Sequence, residues 1–431
     1  MLCAALWLGG CDTWFGKGEA PPLPGERISV LAHQRTVNPD PDADPASIRL
    51  PRPLVNTDWP QPGGYANHAM HHLEIAQRPE RAWLSDIGSG VTNSQPRLAS
   101  PIMAGGRVYT MDSDHVVSAF DANSGDRVWE VDLAEDEEDD DTITGGIAYE
   151  DGRIIATTGF AKVIALDAGS GEELWRERFG APFHSPPAVR GGRAFAISID
   201  NTLHALSIHD GNELWNHKAI VEIANLLGGS SPAVDSGVVV APFSSGELVA
   251  LKVETGRVLW SDSLTSTRRT DELGSLAQIR AAPVIDRGRV YAISHSGQMA
   301  AIDLRSGRRI WDKELGGLQA PWVAGNYIFM LTNENELVAL SRDDGRIYWV
   351  TPLPAYEDEE DLEDPILWTG PILASNRLIV AGSNDDVMAL SPYTGKVLGI
   401  QEVPDAVSVA PIVANGTLFL LSDNADLVAL R

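Results

Sequence analysis

The 431-residue sequence predicts an all-β molecule, an eight-bladed β-propeller of four-stranded antiparallel blades whose last blade is closed by an N-terminal strand. Three observations predict it. First, an alanine, a glycine six residues later and a tryptophan ten residues later recur together at intervals of roughly 40 to 50 residues, the spacing of a four-stranded blade. Second, the chain carries 40 Gly and 27 Pro among short apolar runs, the composition of a turn-rich β chain. Third, the units count out with one strand missing at the C-terminal end and one spare near the N-terminus.

The chain opens on MLCAALWLGGC, which is apolar but too short to span a bilayer. It reads as the apolar region of a secretory signal. Leu8-Gly9-Gly10-Cys11 resembles the bacterial lipobox, so residues 1–11 are expected to be a lipoprotein signal and Cys11 the lipidated anchor to the membrane. Several acyl chains on one cysteine, at about 0.8 kcal/mol per buried CH₂, hold a protein stably. The expected address is the periplasmic face of the cell outer membrane. Asp12 is the residue type that retains enteric lipoproteins at the inner membrane, which is the alternative. Cys3 and Cys11 are the sole cysteines, so no disulfide or thiolate metal site staples the body.

Residues 12–55 are dense in Pro and Asp and poor in large apolar residues, which predicts a flexible tether. Residues 56–78, NTDWPQPGGYANHAMHHLEIAQR, predict a strap packed on the ring. His68, His71 and His72 fall there at helical spacing, but without acidic or cysteine partners they assign no metal.

Residues 79–431 hold the repeat. The alanines are Ala119, Ala165, Ala205, Ala250, Ala301, Ala339, Ala389 and Ala429; the glycines six on are Gly125, Gly171, Gly211, Gly256, Gly307, Gly345 and Gly395. Ten on stand Trp129, Trp175, Trp215, Trp260, Trp311 and Trp349, then Gly399 as the one lapse. Eighteen residues before each alanine is a proline, except at Ile147, and a Gly or Asn follows five later, marking a hairpin turn. Alternating runs such as RVYAIS fit strands. The eighth unit ends at its third strand, and Trp83 in ERAWLSDIG stands 18 residues before Pro101, where the missing fourth strand should carry its tryptophan. These seven tryptophans, Trp83 included, are expected to lie over the turn glycine of the next blade, each burying on the order of 200 Å². Their role is structural docking.

The links from each tryptophan position to the next proline position vary from 10 to 23 residues, whereas the frame within each unit is constant. In an antiparallel blade these links leave by the same rim as the turn between the second and third strands. All length variation therefore gathers on one rim, where repeat proteins place their binding surface. Two acidic insertions, 134–141 and 355–365, lie there and are expected to be solvated loops. Leu226 and Leu227 form an adjacent apolar pair in one link, the kind of exposed patch that marks a partner contact.

A formal net charge of -27 argues against wrapping nucleic acid, which requires cations to replace counterions. It argues equally against electrostatic docking on anionic lipid. No nucleophile motif, phosphate loop or metal-protease motif stands in the sequence, so no catalytic, cofactor-binding or metal residue is assigned.

The unit A-x-D-x-x-[ST]-G-x-x-x-W, as in AFDANSGDRVW and ALDAGSGEELW, resembles the repeat of the pyrroloquinoline-quinone-dehydrogenase-like propellers over nearly all of residues 79–431. Within that superfamily the lipobox, the eight blades closed by an N-terminal strand and the long link before PVIDRGRVYAISHSGQMAAIDLRSGRRIW resemble the propeller lipoproteins of the outer-membrane β-barrel assembly machine. That resemblance implies a non-catalytic scaffold without cofactor. It would bind the periplasmic modules of the barrel-inserting subunit and help deliver unfolded outer-membrane proteins. It also implies partner contacts at links matching Leu226, Leu227, Gln278 and Arg280. This chain departs from the family there, with Leu227 in place of an arginine and Gln278 and Arg280 in place of acids. The rival implied by the superfamily is a quinone- and Ca²⁺-dependent dehydrogenase. Such enzymes often place a vicinal disulfide beside the quinone, which a body without cysteine cannot form.

Overall fold

Each blade is built the same way, and blade 5 serves as the pattern. Its strands are A (Val284–Asp286), B (Arg289–Ile293), C (Met299–Asp303) and D (Arg309–Lys313), hydrogen-bonded in that order and all antiparallel. Strands B and C are buried at nearly every position because both faces are covered by neighbouring blades, so they are almost continuously apolar. The computed structural model describes residues 37–431 apart from 93, 94, 96, 136–141, 221–228 and 266–277. Among these, eight four-stranded antiparallel sheets form, as the repeat predicts. A strands of successive blades lie against one another around the axis, which makes A the inner strand and D the outer. Cys11, Leu226, Leu227, most of the tether and most of the 134–141 acidic run lie outside the described residues.

The tryptophans sit where the intervals place them. A Cβ added at Gly125, Gly171, Gly211, Gly256, Gly307, Gly345 or Gly395 would come within 2.6–2.9 Å of the tryptophan of the preceding blade. These glycines also hold positive φ, +79° at Gly125 for example, so both the backbone and the indole demand the residue. Each indole Nε1 then donates to the carbonyl three residues past the next blade's repeat alanine: Trp83 to Ala122, Trp129 to Ala168, Trp311 to Arg342 and Trp349 to Pro392, at 3.0–3.2 Å. The Asp-x-x-Ser of the turn is an Asx turn. Asp121 Oδ1 accepts from the amides of Asn123 and Ser124, and Gly125 N donates to the Asp121 carbonyl.

Every C–D pairing carries a register shift beside the repeat alanine. Ala119 pairs with Trp129 but Phe120 pairs with Arg127, leaving Val128 as an extra residue. The same shift recurs in all eight blades. A β-bulge there re-aims the following side chain, which turns the indole across the blade junction.

Blade 8 is A (Ile412–Ala414), B (Thr417–Leu421) and C (Asp426–Leu430), and its D strand is Arg81–Asp86 from the other end of the chain. Trp83 pairs with Ala429, as Trp129 does with Ala119. Glu80 N donates to Arg431 O at 2.7 Å and Arg431 N to Glu80 O at 2.9 Å, continuing the ladder past the strand ends.

Residues 56–73 run once around the axis and touch the A strand of every blade in turn. Asn56 O accepts from Asn415 N in blade 8, and Trp59 exchanges two backbone hydrogen bonds with Met103 in blade 1. Pro60 O accepts from Tyr149 N in blade 2, and the Gln61 amide brackets Val189 in blade 3. Ala66 and Asn67 carbonyls accept from Val234 and Ile285 in blades 4 and 5, and His71 O from Trp322 Nε1 in blade 6. Leu73 pairs with the Leu373–Ser375 edge of blade 7. These contacts fall toward the A–B turns, so the belt covers the mouth of the ring opposite the variable rim. Its Trp59, Met70, Leu73 and Ile75 join one core cluster with Trp322, Leu373 and Val413. The spacing of His68, His71 and His72 is not that of a helix here. His68 and His71 stand at positive φ, +58° and +57°, and their rings meet different partners.

Candidate interaction face

On the variable rim, buried polar side chains hold the described links in place. Gln95 donates from Nε2 to the carbonyls of Ser113 and Thr142, both at 3.1 Å, and its Oε1 accepts from Thr144 N at 2.9 Å. It thereby pins the link entering blade 1 to the link entering blade 2. Asp112, in the B–C turn of blade 1, accepts from the amides of Ser89, Asp114 and Val116. Burial pushes its carboxyl up, and those hydrogen bonds pull it back. Asp423, in the corresponding turn of blade 8, accepts from Ser408 N and Oγ and is likewise raised by burial.

Arg280 lies in the link entering blade 5 and Arg97 in the link entering blade 1, opposite sectors of the ring. Burial pushes Arg280 down to about 10, and the second cause is the charge of Arg97. Arg97 is lowered by burial too and is opposed by Asp423. The charge of Arg97 thus reaches Arg280 on the variable rim. Arg280, partly open, places a cation on this rim of a chain of net charge -27, which suits carboxylates or backbone carbonyls. The electrostatic coupling of Arg97 to Arg280 was not legible in the sequence, although the two residues stand four and three residues before their proline positions, Pro101 and Pro283.

Gln278 is buried, and its carbonyl accepts from His295 N at 3.1 Å. Its side chain thus belongs to the wall of the rim, while Arg280 is partly open. The acidic segment 355–365 forms a small exposed hairpin, Tyr356–Asp358 against Glu363–Pro365. Asp358 Oδ1 accepts from the amides of Glu360 and Asp361, so that carboxylate caps its own turn. At the other acidic segment Glu135 meets Lys162 at 2.7 Å and Arg176 at 2.8 Å, and the Lys162 hydrogen bond holds its carboxyl below the usual range.

On the opposite mouth the three histidines serve the belt. His68 Nδ1 lies 2.8 Å from Pro283 O, and full burial lowers the ring to about 4. His72 Nε2 accepts from Asn376 N, so its Nδ1–H donates to Pro51 O. His71 lies 3.6 Å from Asp286. Among the described residues no three His, Cys, Asp or Glu side chains converge as a metal site.

Residues 80–139 and 113–351 match the family described as outer membrane protein assembly factor BamB. The protein of that name from Escherichia coli (strain K12) is 27% identical over 357 residues, covering 82% of this chain and 88% of the relative. The crystal structure of BamB from Moraxella catarrhalis superposes with a TM-score of 0.67 at 20% identity, over 81% of this chain and all of that one. Quinohemoprotein alcohol dehydrogenase from Comamonas testosteroni superposes with a TM-score of 0.65 at 13% identity, over 86% of this chain and 80% of that one, a likeness of fold alone.

Proposed function

Because this chain belongs to the family of outer membrane protein assembly factor BamB, we propose that it is a non-catalytic periplasmic scaffold of the outer-membrane β-barrel assembly machine. It binds the barrel-inserting subunit through that subunit's periplasmic modules and aids insertion of outer-membrane proteins. Lipidated Cys11 anchors it to the outer membrane. The observation that carries the reading is the division of the ring into a mouth covered by the 56–73 belt and a rim of variable links. Of the two rims, only the second presents links that differ from blade to blade, and a partner can be recognised only by what differs.

The partner contacts assigned to this rim are Leu226, Leu227, Gln278 and Arg280. Arg280 supplies charge, Gln278 fixes the shape of the wall, and the leucine pair supplies apolar area. Co-purification from solubilised membranes tests the proposal. Leu227→Asp combined with Arg280→Glu should reduce recovery of the barrel-inserting subunit by about tenfold or more, the scale of one lost anchor plus one reversed charge. Circular dichroism should show the fold intact. Undiminished recovery would remove these links from the interface. Dye-linked alcohol oxidation on adding pyrroloquinoline quinone and Ca²⁺ would replace the scaffold with an enzyme.

A further inference from the structure

Seven of the eight blade junctions are wedged by an indole, and the eighth is not. In blade 6 the row across strands B, C and D reads Phe329, Ala339, Trp349. In blade 7, with strands B (Arg377–Gly382), C (Asp386–Leu390) and D (Val397–Glu402), it reads Ile379, Ala389, Gly399. A Cβ at Gly399 would meet nothing within 4 Å. The space is a pocket of about 340 Å³ between blades 7 and 8, lined by that row, by Leu418 and Leu430 of blade 8, and by the 75–79 segment that leads into the closing strand. Where another blade would offer an Asx turn and a glycine to receive the wedge, blade 8 offers the paired ends Glu80 and Arg431. Arg377 stands at the rim of the pocket. Its Nη atoms donate to Ala76 O and Gln77 O, and its Nε is buried without a partner.

The strand beside the pocket is also unlike its counterparts. All six positions of Val397–Glu402 are exposed, whereas the D strands of the other blades bury or half-bury their tryptophan. Leu398 and Ile400, on either side of the glycine, are 57% and 56% exposed. At the position of Ile400, blades 1 to 5 carry Glu130, Arg176, Asn216, Ser261 and Asp312. Blades 6 and 8 carry Val350 and Leu84 there, and Leu398 has apolar counterparts such as Val128 and Leu174, so what sets this strand apart is the missing ring and an Ile400 that is 56% exposed beside it.

We propose that this vacant junction is a docking site for an aromatic side chain carried on an extended segment of another polypeptide. The seven filled copies within the same chain specify the kind of ligand, a flat ring between two blades, set here over Ala389 and Gly399 of blade 7 and without a receiving turn glycine in blade 8. The exposed outer edge of blade 7 supplies backbone groups for strand addition, and an aromatic opposite an edge glycine covers it. The proposal rests on the assembly reading for the source of such segments, since membrane β-barrel strands alternate apolar with polar residues and end in aromatic girdles.

The test uses the full chain and a short soluble peptide alternating threonine and valine around a central tryptophan, against the same peptide with alanine at the centre. The tryptophan peptide should bind about tenfold more tightly or better, the scale of burying one large side chain. In methyl-labelled wild-type protein the Ile379 and Leu418 signals should shift on binding. Gly399→Trp supplies the chain's own ring and should abolish the preference without lowering the melting temperature. Equal binding of the two peptides, or shifts confined to other residues, would overturn the proposal whatever the variant does. A wild-type dimer that Gly399→Trp converts to a monomer would overturn it in favour of a second copy as occupant. The peptide measurement does not involve the barrel-inserting subunit, so its failure and that of the assembly reading are separately visible.

Discussion

At the scale of the residue, the tryptophan and the glycine are one device in two parts. The glycine's positive φ and missing Cβ open a seat in one blade, and the indole of the preceding blade fills it. Trp349 is 5% exposed, lies over Gly395, donates to Pro392 O and packs on Phe329 at 6.1 Å between ring centroids. Trp349→Ala should therefore cost about 3–5 kcal/mol, read as a lower urea midpoint. Gly399→Ala, at the equivalent place in blade 7, adds a methyl to open space and should leave the midpoint almost unchanged. The pairing of ring and glycine was legible because each interval in the repeat is fixed. The bulge that aims the ring was not, because the constant ten-residue step from alanine to tryptophan conceals the extra residue within it.

At the scale of the element, the belt shows where sequence reading stops. Its eight points of attachment, from Asn56 to Leu73, follow neither a helical nor a strand period, and most are backbone hydrogen bonds that any side chain could accompany. A pattern of residue types carries no trace of such contacts. The proposed partner surface was illegible for a different reason: Gln278 and Arg280 neighbour each other in sequence, yet one is buried and the other is partly open and feels the charge of Arg97, 183 residues away in the chain. The belt also gives the fold a pH response. His68 is wholly buried and titrates near 4 in the folded chain against 6.5 in the unfolded one, because burial penalises its charged form. Its contribution is complete above pH 6.5 and is lost as pH falls toward 4, amounting to about 3 kcal/mol at the acid limit. Thermal melts between pH 7 and pH 4 should show a steep fall for the wild type. His68→Asn, which tolerates the positive φ, should show a shallower one; parallel curves would place the titration elsewhere, as at His71, His72, His184 or His217.

At the scale of the whole molecule, the ring is fastened twice without a covalent bond, by the outer strand of blade 8 and by the belt. Deleting residues 79–86 removes that strand, exposes the edge of Asp426–Leu430 and empties the seat at Gly125. It should lower the melting temperature by more than any single tryptophan substitution, and an unchanged melt would show that the belt alone holds the ring. The strand that completes the circle has a further consequence. Arg81–Asp86 is made early and finds its partner, Asp426–Leu430, only when nearly all the rest has been made. Contacts so distant along the chain slow folding. Synthesis delivers the polypeptide from one end, so a ribosome must release almost every sector before the first strand can be satisfied, and until then a sticky edge waits at each margin of an unfinished wheel.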